Sequence, residues 1–207
     1  FRRTSSFLGT EGVIENDCNA AAFGEWEFRK EIDSLIYVTV STGIGMGMVV
    51  RGKILRGANN AAGEIGHTIV KADGPLCTCG RRGCLQAISG GRGLEIRAHD
   101  SLGIKIGTKE IIDRAQLSEP VFKEMITEAS ETLGRFLCNL IDSLDPAILV
   151  IGGSLGKNRY YFDRILKTIE ENYYRVPGKK VKIELSSIEP NPNIIGILSL
   201  SRRTHKD

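Results

Sequence analysis

Three of the five cysteines in the 207-residue chain fall within eight positions, at Cys77, Cys79 and Cys84, and His67 precedes them by ten residues. Three thiolates and one imidazole are the ligand set of a closed tetrahedral zinc site, and the intervening glycines allow the backbone to curl around one ion. A disulfide framework and unrelated buried thiols are the alternatives. The odd cysteine count and the lack of a secretory leader disfavour the former, and the flanking Gly and Arg residues disfavour the latter. The pattern therefore predicts a structural zinc ion with no open coordination position.

Composition narrows the class of protein. A chain with 41% hydrophobic and 26% charged residues is long enough for one domain, which excludes general disorder. Lys and Arg number 28 against 25 Asp and Glu, for a net charge of +3. The basic residues are interspersed with acids, which disfavours a nucleic-acid-binding surface. No stretch approaches the roughly 20 apolar residues of a membrane span, so we expect a cytoplasmic protein with no membrane partner.

The order of apolar segments indicates the fold class. Short runs rich in β-branched residues predict strands, and apolar residues spaced by three and four predict helices. The predicted strands are 12–15, 35–40, 46–50, 65–70, 147–151 and 181–185, and the predicted helices are 19–30, 120–144, 160–174 and 193–201. Early strands joined by tight turns, followed by alternating helices and strands, indicate an α/β domain with a mixed sheet flanked by helices.

Three segments have both a structural and a functional interpretation. Asn16 and Asp17 precede a predicted helix, so either can be its N-cap, although a carboxylate at such a junction can also enter a cleft and act as a general base. The glycine turn at 41–45 suits a hairpin, but its hydroxyl and backbone N–H groups also suit an anion. The glycine pair at 152–153, after a buried strand and before a helix, poses the same choice.

Together these segments resemble the ROK family, named for repressors, open reading frames and kinases, within the actin-like and hexokinase-like ATPase superfamily. The resemblance runs from about residue 13 to about residue 200. It rests on five segments in the family's order, at 15–22, 41–45, 56–67, 77–85 and 151–153. The Gly-Glu-Ile-Gly-His element at 63–67, with cysteines at the right distance, is the most specific part. The family's N-terminal Asp-x-Gly-Gly-Thr phosphate loop does not occur in the 207 residues.

The resemblance implies an architecture and partners. The fold would be an actin-like ATPase (ribonuclease H-like) domain, α/β, and mainly its larger C-terminal lobe. Residues 1–15 would be the end of a mostly absent N-terminal lobe, and residues 16–207 the larger lobe, with the sugar site and a zinc knuckle at 67–84. A homodimer is the family habit. DNA would be a partner only if a helix-turn-helix preceded Phe1.

The resemblance also implies an activity and site residues. It implies ATP-dependent phosphorylation of a hexose or an N-acylated hexosamine, with Mg²⁺ and with Asp17 as the general base. The residues at matching positions would bind sugar hydroxyls at Asn16, Asp17, Glu64, His67 and Gln86. The nucleotide would lie against Thr42, Gly43, Gly45, Gly152 and Gly153. The implied zinc ligands are those named above: His67, Cys77, Cys79 and Cys84.

Two points of this resemblance stay open. Gln86 stands where family kinases and many repressors carry Glu, so we expect sugar specificity to depend on this position and on Asn59-Asn60. The alternative activity is that of a sugar-sensing effector domain of a ROK-type transcriptional repressor, since a sensor needs the same hydroxyl contacts. The sequence upstream of Phe1 distinguishes the two, by a phosphate loop or a helix-turn-helix.

Overall fold

The computed structural model of the chain describes residues 12–173, 181–189 and 191–204, and the fold in these ranges is built on one five-stranded sheet. The strands are β1 (Ser34–Val40), β2 (Ile44–Val50), β3 (Lys53–Ile54), β4 (Ile148–Gly152) and β5 (Lys182–Leu185). Their order is β3-β2-β1-β4-β5. β1 pairs antiparallel with β2 and parallel with β4. The predicted mixed sheet is confirmed.

Seven α-helices accompany the sheet within the described ranges. They are α1 (Asp17–Glu27), α2 (Leu85–Ser89), α3 (Gly91–Leu102), α4 (Thr108–Gln116), α5 (Pro120–Leu144), α6 (Arg159–Asn172) and α7 (Pro192–Thr204). The prediction for α5 is confirmed at both ends, and Pro120 occupies the first turn, where a missing N–H costs no helical hydrogen bond. None of these helices is long and apolar enough to cross a membrane.

The helices cover the two faces of the sheet because side chains alternate along β1. Ile36 and Val38 face the larger core, which includes buried residues of α5 and α6. Leu35 and Tyr37 face a smaller core, which includes Phe23 of α1. This period of two is the reason that a nearly continuous apolar strand has helices on both sides.

Two strand predictions are wrong. Residues 65–70 leave the sheet: Ile65–His67 form a 3₁₀ helix, and Ile69 makes only an isolated antiparallel bridge to Cys84. The exposed Ile69 lacks the burial that the strand prediction required. The third strand along the chain is instead β3, which pairs antiparallel with β2. Residues 12–15 carry no strand either, and residues 1–11, which hold most of the predicted 1–15 segment, lie outside the described ranges.

Candidate functional site

A cleft of about 640 Å³ opens where β1, β4 and β5 end and where α1 and α7 begin. Ligands of open α/β sheets bind at this edge, outside the carboxyl ends of parallel strands. Most of the predicted sugar and nucleotide residues line it, namely Asn16, Asp17, Thr42, Gly43, Gly45, Glu64, Gln86 and Gly153. Two predicted residues, His67 and Gly152, are not among its lining residues.

The sequence left open which of Asn16 and Asp17 caps the first helix and which carboxylate or amide is available to a cleft. Asn16 is the N-cap of α1, and its Oδ1 accepts the N–H groups of Cys18 at 2.9 Å and Asn19 at 3.2 Å. Asp17 is the first helical residue, and its Oδ1 accepts the Cys18 N–H at 2.8 Å. Because Asn16 caps the helix, the exposed Asp17 carboxylate is available to the cleft at the positive end of the helix dipole.

Cys18, the next residue in the chain, also lines the cleft and is only 8% exposed. Burial, together with the negative charges of Asp17 and Glu64 and a hydrogen bond to Asp17, raises the pKa of its thiol to about 12. The thiol therefore keeps its proton at neutral pH, and no thiolate competes with Asp17 in the cleft. Asp17 and Glu64 both line the cleft.

Glu15 and Arg56 hold the loop before Glu64 against the start of α1. Arg56 Nε donates to Glu15 Oε2 at 2.8 Å, and its Nη2 lies 2.6 Å from the same oxygen. The other oxygen, Glu15 Oε1, accepts from Asn19 Nδ2 at 3.0 Å. Sequence reasoning missed this pair, since 41 residues separate the partners. The only available signal was that both belong to segments carrying the family resemblance.

Gly45 and Gly47 allow α1 to approach β2 closely. A Cβ added at Gly45 would lie 2.6 Å from Cys18 Sγ, and one at Gly47 would lie 2.2 Å from the Cys18 carbonyl oxygen. Both glycines lie on the same face of β2, as strand periodicity requires. Gly45 lines the cleft and also has this packing role, which the prediction of a nucleotide contact did not include.

Apart from Ser41, which belongs to the 41–45 turn, the other polar residues of the cleft are ones that the sequence did not single out. Ser186, which follows β5, is 4% exposed, and its hydroxyl has no hydrogen-bond partner among the described residues. Lys157 also lines the cleft, with its Nζ 3.7 Å from Glu189 Oε1. Ser41 and Ser154 join the ends of β1 and β4 through hydroxyls 3.0 Å apart. The positions of Ser154 and Ser186 close after β4 and β5 were the signal that would have identified these two.

Gly152 packs against Tyr37, a residue that lines the cleft. A Cβ added there would lie 2.2 Å from the hydroxyl oxygen of Tyr37, which itself lines the cleft. Burial raises the pKa of Tyr37 to about 12. The glycine therefore makes room for a neutral phenol, while Gly153 lines the cleft itself.

The structure brings the four predicted metal ligands together. One ligand atom from each of His67, Cys77, Cys79 and Cys84 lies within 4.8 Å of the others. Cys77 Sγ is 3.8 Å from His67 Nδ1, and Cys79 Sγ is 3.7 Å from Cys84 Sγ. Zinc-to-sulfur bonds of about 2.3 Å in tetrahedral geometry place ligand atoms at about this separation. The donor set and its spacing therefore fit a zinc ion, with no carboxylate or open position among the four.

The three cysteines of the cluster differ in environment. Hydrogen bonds from the Arg81 backbone and side chain lower the pKa of the exposed Cys79 to about 6. Burial raises the pKa of Cys84 to about 12. A dication at the centre favours the thiolate form of every ligand.

Glu128 of α5 forms ion pairs with the loop at 68–84, which carries the three cysteines, and with α3. Lys71 Nζ lies 2.8 Å from Glu128 Oε1, and Arg97 of α3 contacts the other oxygen of Glu128. Burial raises the pKa of Glu128, but the hydrogen bond from Lys71 and the charges of Arg97 and Lys71 outweigh it, so this pKa lies below its ordinary value. Glu128 is therefore ionised at neutral pH, and it joins α5 to the loop through Lys71 and to α3 through Arg97.

A comparison with protein-family models identifies the ROK family, over residues 4–204. Among curated proteins, N-acetylmannosamine kinase of Salmonella paratyphi B is 34% identical over 161 residues, which are 77% of this chain and 55% of that protein. The chain therefore spans about half the length of the curated relatives that it matches.

Solved structures of the same family share the fold. The ROK hexokinase of Thermus thermophilus is 30% identical with a TM-score of 0.90, and the match covers 100% of this chain and 70% of that one. A ROK family glucokinase of Streptomyces griseus, solved in complex with glucose and AMPPNP, is 28% identical with a TM-score of 0.80, over 98% of this chain and 72% of that one. The predicted actin-like ATPase fold is confirmed.

Proposed function

Because the chain belongs to the ROK family, we propose that it forms the larger lobe of an ATP-dependent kinase for a hexose or an N-acylated hexosamine. The observation that carries the proposal is the Asp17 carboxylate, which lines the cleft while Asn16 takes over the capping of α1. The relatives named N-acetylmannosamine kinase and glucokinase support the reaction class. Residues 16–207 are proposed as this lobe, and residues 1–15 as the end of the other.

The sugar is proposed to bind at the end of the cleft formed by α1 and the 3₁₀ helix. Asp17, Glu64 and Gln86 provide acceptors there, and the Asn16 amide provides a donor, since only its Oδ1 is used for capping. A polar, uncharged ligand with several hydroxyls suits such a mixture of acceptors and donors. His67 is proposed to act from outside the cleft, through the metal cluster and the short helix that carries Glu64 at its N-cap.

The phosphates of ATP are proposed to lie against the turn between β1 and β2. Thr42 and Gly43 line the cleft at this turn, and Gly153 lines it from the end of β4. Lys157 adds a positive charge on that side. Backbone N–H groups together with one cation are a common cradle for transferred phosphoryl groups, and Mg²⁺ bound to ATP would neutralise the remaining charge.

Asp17 would act as the general base. It accepts the proton of the attacking sugar hydroxyl, a contribution of roughly 10² to 10⁴ in rate. Its Oδ1 is held by the Cys18 N–H, so the carboxylate is oriented before the sugar arrives. Positioning of the two substrates provides most of the remaining acceleration in phosphoryl transfer.

The metal cluster would be structural. A zinc ion held by His67, Cys77, Cys79 and Cys84 would have no free coordination position, so it would act by holding the loop that leads from the 3₁₀ helix to α2. The glycine-rich and largely exposed loop has few apolar contacts of its own within the described residues. Its order would therefore depend on the ion.

The test is the Asp17→Asn substitution in the full-length protein. ATP turnover should fall by roughly 10² or more with glucose or N-acetylmannosamine as acceptor, while calorimetry should still detect sugar binding. Asp73→Asn, the same change at an exposed loop residue, is the matched control and should leave turnover unchanged. Turnover near the wild-type rate in Asp17→Asn would remove Asp17 from the role of base. Sugar binding without ATP turnover by the wild type would instead favour the sensing alternative.

A further inference from the structure

The three cysteines of the metal cluster differ in their access to solvent. Cys79 is exposed, whereas Cys77 is only 4% exposed and Cys84 is completely buried. The residues on both sides of Cys79, from position 78 to position 82, are exposed as well. A reagent dissolved in water therefore reaches the Cys79 sulfur before it reaches the other two.

Cys84 lies within reach of Cys79. Their Sγ atoms are 3.7 Å apart, so a disulfide bond of about 2.05 Å needs them to approach by roughly 1.7 Å. Cys77 is engaged elsewhere: its Sγ lies 3.8 Å from His67 Nδ1 and 3.4 Å from Gln86 Nε2, which donates a hydrogen bond to it. The geometry therefore favours a bond between Cys79 and Cys84 over one that includes Cys77.

The backbone allows this approach from the Cys79 side. Gly80, which follows Cys79 and has a φ of +85°, has open space around it, since a Cβ added there would meet nothing within 4 Å. Gly83, which precedes Cys84, has no such room, because a Cβ added there would collide with the Lys71 carbonyl oxygen. Cys84 is thus the fixed partner, and Cys79 is the one that moves.

His67 connects the metal cluster to the cleft. It is the last residue of the 3₁₀ helix Ile65–His67, and Glu64, the N-cap of this helix, lines the cleft. A zinc ion bound by His67 would hold the end of the helix in place. Loss of the ion would therefore remove one of the contacts that fix Glu64.

We propose that Cys79 and Cys84 form a redox switch, in which a peroxide oxidises the two thiolates to a disulfide, the zinc ion leaves, and the 3₁₀ helix beside the cleft loses its anchor. The inference rests on the proposed function for the effect on sugar binding alone. Formation of the disulfide and release of the ion do not depend on it. Because exposed disulfides are readily reduced, the switch is reversible.

The oxidation takes place in two steps. The Cys79 thiolate attacks one oxygen of hydrogen peroxide, the O–O bond breaks, and a sulfenic acid and a hydroxide ion form. The Cys84 thiolate then attacks the sulfenic sulfur, which forms the disulfide and releases a second hydroxide. Two electrons pass from the sulfurs to the peroxide, and two protons from solvent convert the hydroxides to water. Only His67 and Cys77 remain as ligands, too few for a closed tetrahedral site.

The first experiment treats the zinc-loaded, full-length protein with hydrogen peroxide in the presence of a chromogenic chelator. One zinc ion should be released for each pair of thiols lost, and dithiothreitol followed by zinc should restore the metal content. Cys138→Ser removes a buried cysteine of α5 and is the control, which should release zinc at the wild-type rate. Retention of zinc while Cys79 is oxidised would overturn the proposal.

Peptide mapping of the oxidised protein identifies the bonded pair. Trypsin separates Cys84 from the other two cysteines of the cluster, because Arg81 and Arg82 lie between them. A disulfide between Cys79 and Cys84 should therefore join two tryptic peptides, and fragmentation of the joined product should place the bond on Cys79. A bond to Cys77, or a sulfinic acid on Cys79 with no joined peptides, would overturn the assignment.

The second experiment measures dissociation constants for glucose and N-acetylmannosamine by calorimetry on three forms of the protein: reduced with zinc, oxidised, and reduced but stripped of zinc by a chelator. The oxidised and stripped forms should both bind sugar about tenfold more weakly, because both lack the ion that holds His67. An unchanged constant in the oxidised form would overturn the link to the cleft. If the reduced, zinc-loaded protein binds no sugar, the proposed function fails, and zinc release with peptide mapping still decides whether the switch exists.

Discussion

Arg56 and Glu15 are joined by two nitrogens on a single carboxylate oxygen, at 2.8 Å and 2.6 Å, and this contact fixes the loop before Glu64 to the residues before Asp17. The Glu15 side chain is only 7% exposed, whereas Arg56 is 43% exposed. A carboxylate so nearly buried has lost most of its contact with water and depends on its partners for compensating hydrogen bonds. The pair therefore links the two segments that carry the two cleft carboxylates.

We expect Arg56→Gln to lower the free energy of unfolding by about 1 to 2 kcal/mol, because it leaves a nearly buried carboxylate without its cation. The sugar dissociation constant should rise as well, since Glu64 is carried by the released loop. Chemical denaturation and calorimetry measure the two effects. Arg159→Gln removes a comparable ion pair at an exposed site on α6 and should cost less than about 1 kcal/mol. Equal effects of the two substitutions would contradict the linking role.

The packing of α1 against β2 predicts a rescue experiment. Gly45→Ala should destabilise the protein by about 1 to 3 kcal/mol and reduce turnover, because its methyl group would press on Cys18 Sγ beside Asp17. Adding Cys18→Ala removes that sulfur and should restore much of the loss. Gly47→Ala meets the Cys18 backbone oxygen instead, so the same second substitution should not rescue it. Denaturation of the single and double variants measures the coupling, and additive effects at position 45 would show that the contact is not limiting.

The four-ligand cluster makes a prediction about metal content. Loss of a hydrogen-bond partner of a metal ligand commonly lowers metal affinity by about 10- to 100-fold. Cys79→Ser removes a ligand itself, so it should lower zinc affinity by more than this, and the loop should lose stability with the ion. Metal analysis of the purified variant measures this. Cys138→Ser makes the same atomic change within α5, away from the cluster, and should keep one zinc per chain even if the core is weakened. An equimolar zinc content in Cys79→Ser would exclude the four-ligand assignment.

The Glu128 ion cluster predicts a dependence of stability on pH. The folded state holds the Glu128 pKa below its ordinary value, so the unfolded state binds more protons at acid pH. The stabilisation is complete above the unfolded glutamate pKa and is lost as the pH falls through the lowered folded pKa. Glu128→Gln should therefore lower the melting temperature at pH 7, and the difference from wild type should shrink towards acid pH.

Glu124→Gln, one turn earlier on α5 and exposed, is the control for Glu128→Gln and should leave the melting temperature nearly unchanged at every pH. Melting temperatures measured between neutral and strongly acid pH provide the comparison. A Glu128→Gln deficit that does not change with pH would mean that packing, rather than the charge of the carboxylate, holds the loop to α5.

Local patterns in the sequence were sufficient where one element's own residues determine its structure. The apolar runs of β1 and β4 and the three-and-four spacing of α5 identify these elements, because burial of one face is encoded within each segment. The metal cluster was also predictable, since ligands ten and fewer residues apart are brought together by a short glycine-containing loop. The segment 65–70 was mispredicted because its apolar residues indicate a strand, whereas the close contact of Gly66 with the Ile44 carbonyl determines its path.

The sequence by itself therefore determined the α/β class, the mixed sheet, the four clustered ligands and the family to which the chain belongs. Only the tertiary structure decided that Asn16 caps α1 while Asp17 lines the cleft, that Arg56 holds Glu15, and that Gln86 binds Cys77. Adjacent polar residues have the same capping chemistry, so only the observed backbone angles and contacts distinguish them. Contacts such as that between residues 15 and 56 depend on how separate elements pack, which no local pattern records.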